Sequence, residues 1–447
     1  MKYFVDMGYK VAPFKIGPDF IDPGHHQKVC NKPSINLDSW MLSKDYNKKR
    51  FLKRSAWADL AIVEGVMGLF DGYSGISEAG STAQMAKILN LPVILIVDAK
   101  SMARSVAAIV QGFENFDKDL KIAGIIFNRV GSPNHYEYLK EAVINTCKSK
   151  PLGYILRNEI IHLPDRHLGL VTAEENSLSK DGLVELVSMI DKNTSLKDFV
   201  RDLPLINSQK FSVSLEVLKK KEESLKLTIA VARDKAFSFY YKDNIDILIR
   251  NGAEIIEFSP LKDTQLPDNI HGLYLGGGYP ELFANQLSQN VSLLTQIKTA
   301  SCQYLPIYAE CGGFMYLCSK MTDTNRKNQY PMAGCFPFSI EMNTKFRSLG
   351  YREITLRDNT LLGKKGDILR GHEFHYSSII RDSFYKSFSK DDMMNVYKVT
   401  KRDGKKIDLS GFYTKNTLGS YLHLHFGSMP GCGKNFITNC INYKNNL

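Results

Sequence analysis

Two α/β domains, each a parallel sheet wrapped by crossover helices, are the fold class this sequence predicts, and two observations carry the prediction. One is length: 447 residues exceed what a single hydrophobic core usually holds and suit two domains of roughly 200 residues each. The other is texture: short β-rich apolar runs alternate with helix-like segments in two separate series, the pattern of βαβ units.

The first series comprises YKVAPF (9–14), DLAIVEG (59–65), PVILIVD (92–98) and KIAGIIFNRV (121–130). Each run is apolar on both faces, so each reads as a buried central strand. Between Asn176 and Lys226 the texture turns to short polar helices that end in the charge run LKKKEESLK, a solvated linker. LTIAVAR (227–233), AEIIEFSP (253–260), HGLYLGGGYPE (271–281) and LPIYAECGG (305–313) then open a second series. The expected division is a first domain over 1–190, a linker over 191–225 and a second domain over 226–447.

Composition narrows the class. At 43% hydrophobic and 23% charged the chain is an ordinary globular protein, and no apolar run approaches the roughly 20 residues that span a bilayer. The opening MKYFVDMGYK lacks the apolar core of a signal peptide. Eight cysteines show no CxxC pair or regular spacing, which argues against a zinc site or a disulfide framework and fits a reducing, cytoplasmic setting. The net charge of +11 invites a nucleic-acid reading, but the lysines are dispersed, and a basic surplus suits polyanionic small molecules equally well. The expected partners are small molecules, with no nucleic acid and no membrane.

Three stretches of the second series carry chemistry. In LPIYAECGGFMYLC, Pro306 to Ala309 reads as a strand, Gly312 and Gly313 permit a sharp reversal, and FMYLCSKM continues with helical spacing. Cys311 then sits on a strand-to-helix elbow, lifted clear of the sheet beside a helix N-terminus that favours thiolate. Most lone cysteines are buried structural residues; the elbow is what points to a nucleophile here. In LYLGGGYPE a strand runs into Gly276, Gly277 and Gly278, whose N–H groups, Gly277 and Gly278 foremost, are candidates for an oxyanion hole; a glycine triplet alone is more often a turn. In SYLHLHFGSMP, His423 and His425 are two apart on an expected strand and share a face. Alternation does not choose between them as general base.

With these residues in place, AVARDKAFSFYY, LYLGGGYPELFA, YAECGGFMYL and YLHLHF resemble the glutamine amidotransferase domain of the cobyrinic acid a,c-diamide synthase family, cobalamin-pathway enzymes that amidate two carboxylates of a corrin precursor. FKIGPDFIDPGHH, NLDSWML, VEGVMGLFDG and LPDRHLGLV are similar to that family's ATP-dependent synthetase domain. The resemblance runs from Lys10 to Pro430. It implies an N-terminal P-loop NTPase-like synthetase domain joined to a C-terminal class I amidotransferase domain of flavodoxin-like fold.

The resemblance further implies that Cys311 attacks the glutamine side-chain amide and that His423, rather than His425, is its base. Many triad amidotransferases place Glu two residues after this histidine. Here that position is His425, so a Cys-His dyad, or an orienting group from elsewhere, is expected instead. GHEFHYSS, with His372, Glu373 and His375, reads as an active-site wall or domain-interface element, and its spacing matches no familiar metal motif.

Amide formation also needs a phosphorylated carboxylate, hence ATP as substrate, Mg2+, acidic ligands and a cationic clamp. Glu64 lies at the carboxyl end of DLAIV, where doubly wound sheets place their ligands. Asp19, Asp22 and Asp71 join it by resemblance; each alone reads as an ordinary loop acid. Asp19 and Glu64 are the expected magnesium ligands, Asp22 and Asp71 substrate- or ATP-placing acids, and Lys15 a phosphate contact.

One departure from the family stands out. The first strand and its glycine-rich phosphate loop are missing, since the chain opens inside the helix that should follow them. SMPGCGKNF (428–436) is a chance resemblance to such a loop: Ser428 stands where its first glycine belongs and Asn435 where its hydroxyl belongs. An internal start codon is favoured over a genuine truncation that keeps only glutaminase activity. Alternative readings are amidation of hydrogenobyrinic acid or nickel sirohydrochlorin, and a non-catalytic ATPase-like partner. The sequence does not give the oligomeric state, and a homodimer is one assembly it allows.

Overall fold

The computed structural model describes residues 1–158, 161, 165–166, 169–170, 179–204, 227–345, 347–380, 393–401, 403–407 and 410–446. The charge run at 218–226 and most of LPDRHLGLV lie outside these residues. The chain divides into two compact units, Met1–Leu215 and Glu216–Leu447.

In the first unit the apolar runs fold as strands: β1 (Val11–Ile16), β2 (Ile35–Leu37), β3 (Leu60–Glu64), β4 (Val93–Asp98), β5 (Ile122–Val130) and β6 (Lys150–Leu156). They form two three-stranded parallel sheets, ordered β2–β1–β3 and β4–β5–β6. Parallel strands need crossovers, and helices such as Ile21–Cys30, Lys44–Ser55 and Ser105–Phe116 supply them. Phe14, Ile35, Leu37, Phe51 and Met85 pack one core, while Leu95, Val97, Val106, Ile125, Phe127 and Val143 pack the other.

β1 is buried throughout, but β3 and β4 are not the buried central strands their composition predicts. β3 is half-buried along its apolar length, and Ile96 of β4 is 58% exposed. The reason is sheet order. Among the described residues each is the end strand of its sheet. Consecutive residues of both, Leu60 to Glu64 and Val93 to Ile96, line one cavity of 2360 Å³. Consecutive lining residues mean that a strand presents an edge, since a face would contribute alternate residues only.

The second unit opens with β7 (Leu227–Ala232), β8 (Ala253–Phe258), β9 (Gly272–Leu275) and β10 (Ile307–Glu310). With β13 (Thr417–Ser420) they make the parallel part of a seven-stranded sheet in the order β8–β7–β9–β10–β13, completed by two short antiparallel strands at Phe412–Thr414 and Met394–Asn395. β11 (Ser348–Leu356), β12 (Ile368–His375) and β14 (Leu422–Leu424) belong to an antiparallel five-stranded sheet. The chain leaves the first sheet at Ser420 and enters the second at Leu422, with buried Tyr421 between them. That crossing pairs His423 with His372 across β14 and β12, at the carboxyl end of the parallel strands where α/β folds place their chemistry.

Candidate active site

The sequence around Cys311 folds as an elbow because two glycines follow it. β10 ends at Glu310, a helix spans Gly312–Leu317, and Cys311 stands between them with φ 45° and ψ −104°. A non-glycine residue at positive φ is strained, and such strain gathers at functional positions. Backbone bonds hold it: Cys311 N–H donates to Ser420 O at 2.7 Å, and Gly313 N–H to Gly276 O at 2.9 Å. A Cβ on Gly312 would come within 3.1 Å of Gly278 N, and one on Gly313 would overlap the Leu275 backbone. The elbow and the glycine turn after β9 are therefore interlocked, and both glycines are sterically required. The helix is shorter than FMYLCSKM suggested, since the chain turns extended at Cys318.

Cys311 is 6% exposed, and its thiol donates to Phe374 O of β12 at 3.7 Å. Burial pushes the thiol well up, with the Glu281 carboxylate adding to it, as do Glu310 and Glu373, against a hydrogen bond from Gly312. Burial opposes the thiolate that the helix terminus favours. A thiol held up in this way needs a base to become the nucleophile.

The structure separates the two histidines that sequence alternation left equivalent. The strand stops at Leu424, and His425 begins the next turn. His425 faces away to Asp243 Oδ2, 3.8 Å from its Nε2, and its Nδ1 accepts Gly427 N–H at 3.1 Å. His423 instead lies against the glycine turn, where a Cβ on Gly277 would overlap its Cε1. Its ring stacks on His372 at 4.8 Å between centroids, and its Nδ1 is 3.9 Å from Glu310 Oε2. Burial, helped by His375, pushes the His423 imidazolium down to about 3, so the ring is neutral at physiological pH and able to accept a proton.

Not every glycine amide serves as the sequence suggested. Gly276 N–H donates to Tyr240 Oη at 2.8 Å, and Gly277 N–H to Phe239 O at 3.1 Å. The Gly277 amide is thus engaged in a bridge between backbones, which removes it as an oxyanion donor. Gly278 has φ 152°, and its nitrogen faces Gly312.

The GHEFH part of GHEFHYSS lies in β12 and walls the cysteine corner. Phe374 gives the carbonyl that receives the thiol, and His372 gives the stacking face. Glu373 joins Arg352 (Nε to Oε2, 2.8 Å) and His375 (Nε2 to Oε1, 2.8 Å) in a buried network. His375 in turn stacks on Tyr421 at 3.8 Å.

In the first unit Lys15, 1% exposed on β1, gathers the acids. Its Nζ pairs with Asp22 and lies 3.5 Å from both Asp19 and Glu64, with Gly65 O at 3.3 Å. Burial and the neighbouring Asp22 push Asp19 up to about 6. Burial opposes ionisation of Asp22 and Glu64 too, but Lys15 holds Asp22 below its usual value, and His26 with Lys15 does the same for Glu64. His26, which sequence reasoning did not single out, bridges Glu64 Oε2 at 2.5 Å and Ser34 Oγ at 3.0 Å. Asp71 is not among the described ion pairs of Lys15; its carboxyl lies against Gly68 in the next turn. Among the described residues no three His, Cys, Asp or Glu side chains form a ready-made metal cage. The Asp19 and Glu64 carboxylates are hard oxygen donors flanking one ammonium, a donor set that suits Mg2+ held jointly with phosphate and water.

Comparison with known proteins agrees with both units. Residues 1–171 match the CobQ/CobB/MinD/ParA nucleotide binding domain, and residues 228–430 match the CobB/CobQ-like glutamine amidotransferase domain. The chain is 42% identical to the cobyrinate a,c-diamide synthase of a Synechococcus species, over 96% of this chain and 91% of that protein. It is 40% identical to that of Caldanaerobacter subterraneus subsp. tengcongensis (97% and 93%) and 41% identical to that of Salmonella typhimurium (94% and 89%). With an amidotransferase corner in one unit, an acid-and-lysine cluster in a nucleotide-binding unit and this identity across nearly the whole length, the chain belongs to the cobyrinate a,c-diamide synthase family.

Proposed function

We propose that this chain is a carbon-nitrogen ligase that uses ATP and glutamine to amidate the a and c carboxylates of cobyrinic acid in cobalamin biosynthesis. The observation that carries the reading is the convergence of Cys311, the Gly276–Gly278 turn and His423 in one buried corner of a chain whose other unit is a nucleotide-binding domain.

Cys311 Sγ attacks the side-chain amide carbon of glutamine while His423 takes the thiol proton. The tetrahedral oxyanion is met by Gly278 N–H, and collapse expels ammonia, protonated from His423, leaving a glutamyl thioester. Water, deprotonated by His423, then releases glutamate and restores the thiol. In the first unit, transfer of the γ-phosphoryl group of ATP to a substrate carboxylate gives an acyl phosphate. Ammonia displaces phosphate from it to form the amide. Lys15 contacts phosphate, Asp22 and Asp71 place substrate, and Asp19 and Glu64 would hold Mg2+, which neutralises charge on the transferring phosphoryl group. The enzyme works in the cytoplasm on small molecules, as a monomer or homodimer.

The test is product mass. The protein is incubated with cobyrinic acid, ATP, Mg2+ and glutamine, and in parallel with hydrogenobyrinic acid or nickel sirohydrochlorin. A product with two carboxylates converted to amides is expected from cobyrinic acid. Amidation of only another tetrapyrrole would reassign the substrate, glutamine hydrolysis without any amidation would favour the glutaminase-only alternative, and neither hydrolysis nor amidation would overturn the reading.

A further inference from the structure

We infer that Glu310, the residue immediately before the nucleophile, is the positioning residue of His423, acting on its Nδ1 side so that Nε2 is the nitrogen left to take the Cys311 proton. This rests on the reading of Cys311 and His423 as an amidotransferase pair. The residue two after the base is His425, which faces Asp243, so the orienting carboxylate has to come from elsewhere in the fold.

Glu310 is fully buried on β10, in the middle of the second unit's sheet. An acid there is unfavourable unless every lone pair has a donor. Oε1 accepts from Tyr308 Oη at 2.6 Å and from Leu424 N–H at 2.9 Å, and Oε2 accepts from Tyr274 Oη at 3.0 Å. The Tyr274 hydroxyl oxygen is itself approached by Asn244 Nδ2 at 3.3 Å, which directs the tyrosine proton towards Glu310. All three partners give it protons, so the surroundings are built for a carboxylate that accepts.

The Oε2 atom then lies 3.9 Å from His423 Nδ1. Tyr308 comes from the same strand as Glu310, and Leu424 from the same strand as His423, so acid and base are tied to one frame. At that distance the carboxylate acts through its charge rather than through a hydrogen bond, and negative charge on the Nδ1 side favours the tautomer with the proton there, which leaves the Nε2 lone pair for the thiol proton. Once Glu310 is ionised, which burial delays to about pH 7, the imidazolium that forms when His423 has taken that proton lies beside a carboxylate rather than in an apolar wall. A buried acid serving only the sheet would satisfy the tyrosines but would have no reason to be aimed at this ring.

Glutamine hydrolysis by the full chain, with L-glutamine alone, tests the inference. Wild-type protein must hydrolyse glutamine; if it does not, the amidotransferase reading fails, whatever Glu310 does. Given wild-type activity, Glu310→Gln is expected to lower kcat about 10- to 100-fold with KM changed less than about twofold. Tyr308→Phe, which takes one hydrogen bond from the same carboxylate without touching His423, should lose less than about threefold. Unchanged kcat in Glu310→Gln, or an equal loss in the two variants, would overturn it. If Glu310→Gln does not fold, histidine 15N NMR of the wild-type protein decides: an Nδ1–H tautomer at His423 supports the inference, and an Nε2–H tautomer rejects it.

Discussion

Gly277 and His423 touch edge to edge: the glycine's missing side chain is the space that the imidazole Cε1 occupies. Gly277 is not among the residues at positive φ, so alanine there is unstrained in backbone and differs only by one methyl group. Gly277→Ala should push His423 out of line and cut glutamine hydrolysis by about 10-fold or more, and crowding of the buried ring should also lower the melting temperature. Wild-type kinetics in a folded Gly277→Ala protein would show that His423 is not the base.

Cys311 is the only route proposed for nitrogen from glutamine. Cys311→Ala should lower glutamine-dependent amidation on the order of 1000-fold and leave amidation from ammonium salts within about twofold of wild type. Parallel assays with the two nitrogen sources check this. A variant equally impaired with both would mean that the two units do not divide the work as proposed.

Glu64 belongs to the other half of the reaction. Glu64→Gln keeps the shape but removes a charge that His26 and Lys15 are arranged around. Amidation should fall about 100-fold or more with either nitrogen source, while glutamine hydrolysis without ATP persists. Loss of hydrolysis as well would place Glu64 in the stability of the whole chain rather than in phosphoryl transfer.

The Glu310 carboxyl gives a pH signature. Burial pushes it up to about 7 from an ordinary value of 4.5, against hydrogen bonds from Tyr308, Leu424 and Tyr274. Between those values the folded protein binds more protons than the unfolded chain, so stability falls as pH rises through this window. For a fully buried group the shift corresponds to roughly 3 kcal/mol. Glu310→Gln has no such proton to lose. Its melting temperature, compared with wild type, should therefore improve between pH 5 and pH 8. A difference that stays flat with pH would contradict the raised carboxyl.

Much of this was legible in the sequence. The eight apolar runs named as strands all fold as strands, because an uninterrupted apolar run bounded by turn residues has few other ways to bury itself. The Cys311 elbow followed from glycines at 312 and 313, and the choice of His423 came from family likeness and not from alternation. What stayed hidden was long-range. Half-burial of β3 and β4 depends on which strands lie beside them, and the raised thiol depends first on burial and then on carboxylates such as Glu281 brought in by the fold. Gly277 looked like an oxyanion donor because the partner of its N–H, Phe239 O, is 38 residues away in sequence. Glu310 did carry a signal, an acid closing a buried apolar strand, but only the fold shows what it faces.

The backbone bend at Cys311 sets stability against reactivity at a single residue. A φ of 45° with ψ −104° is reached easily only by glycine, so any side chain held there costs roughly 1 to 3 kcal/mol. Relieving that strain with glycine would thus end the chemistry. Cys311→Gly should melt higher than Cys311→Ala by a few degrees, a thermal record of the tension under which the sulfur is presented.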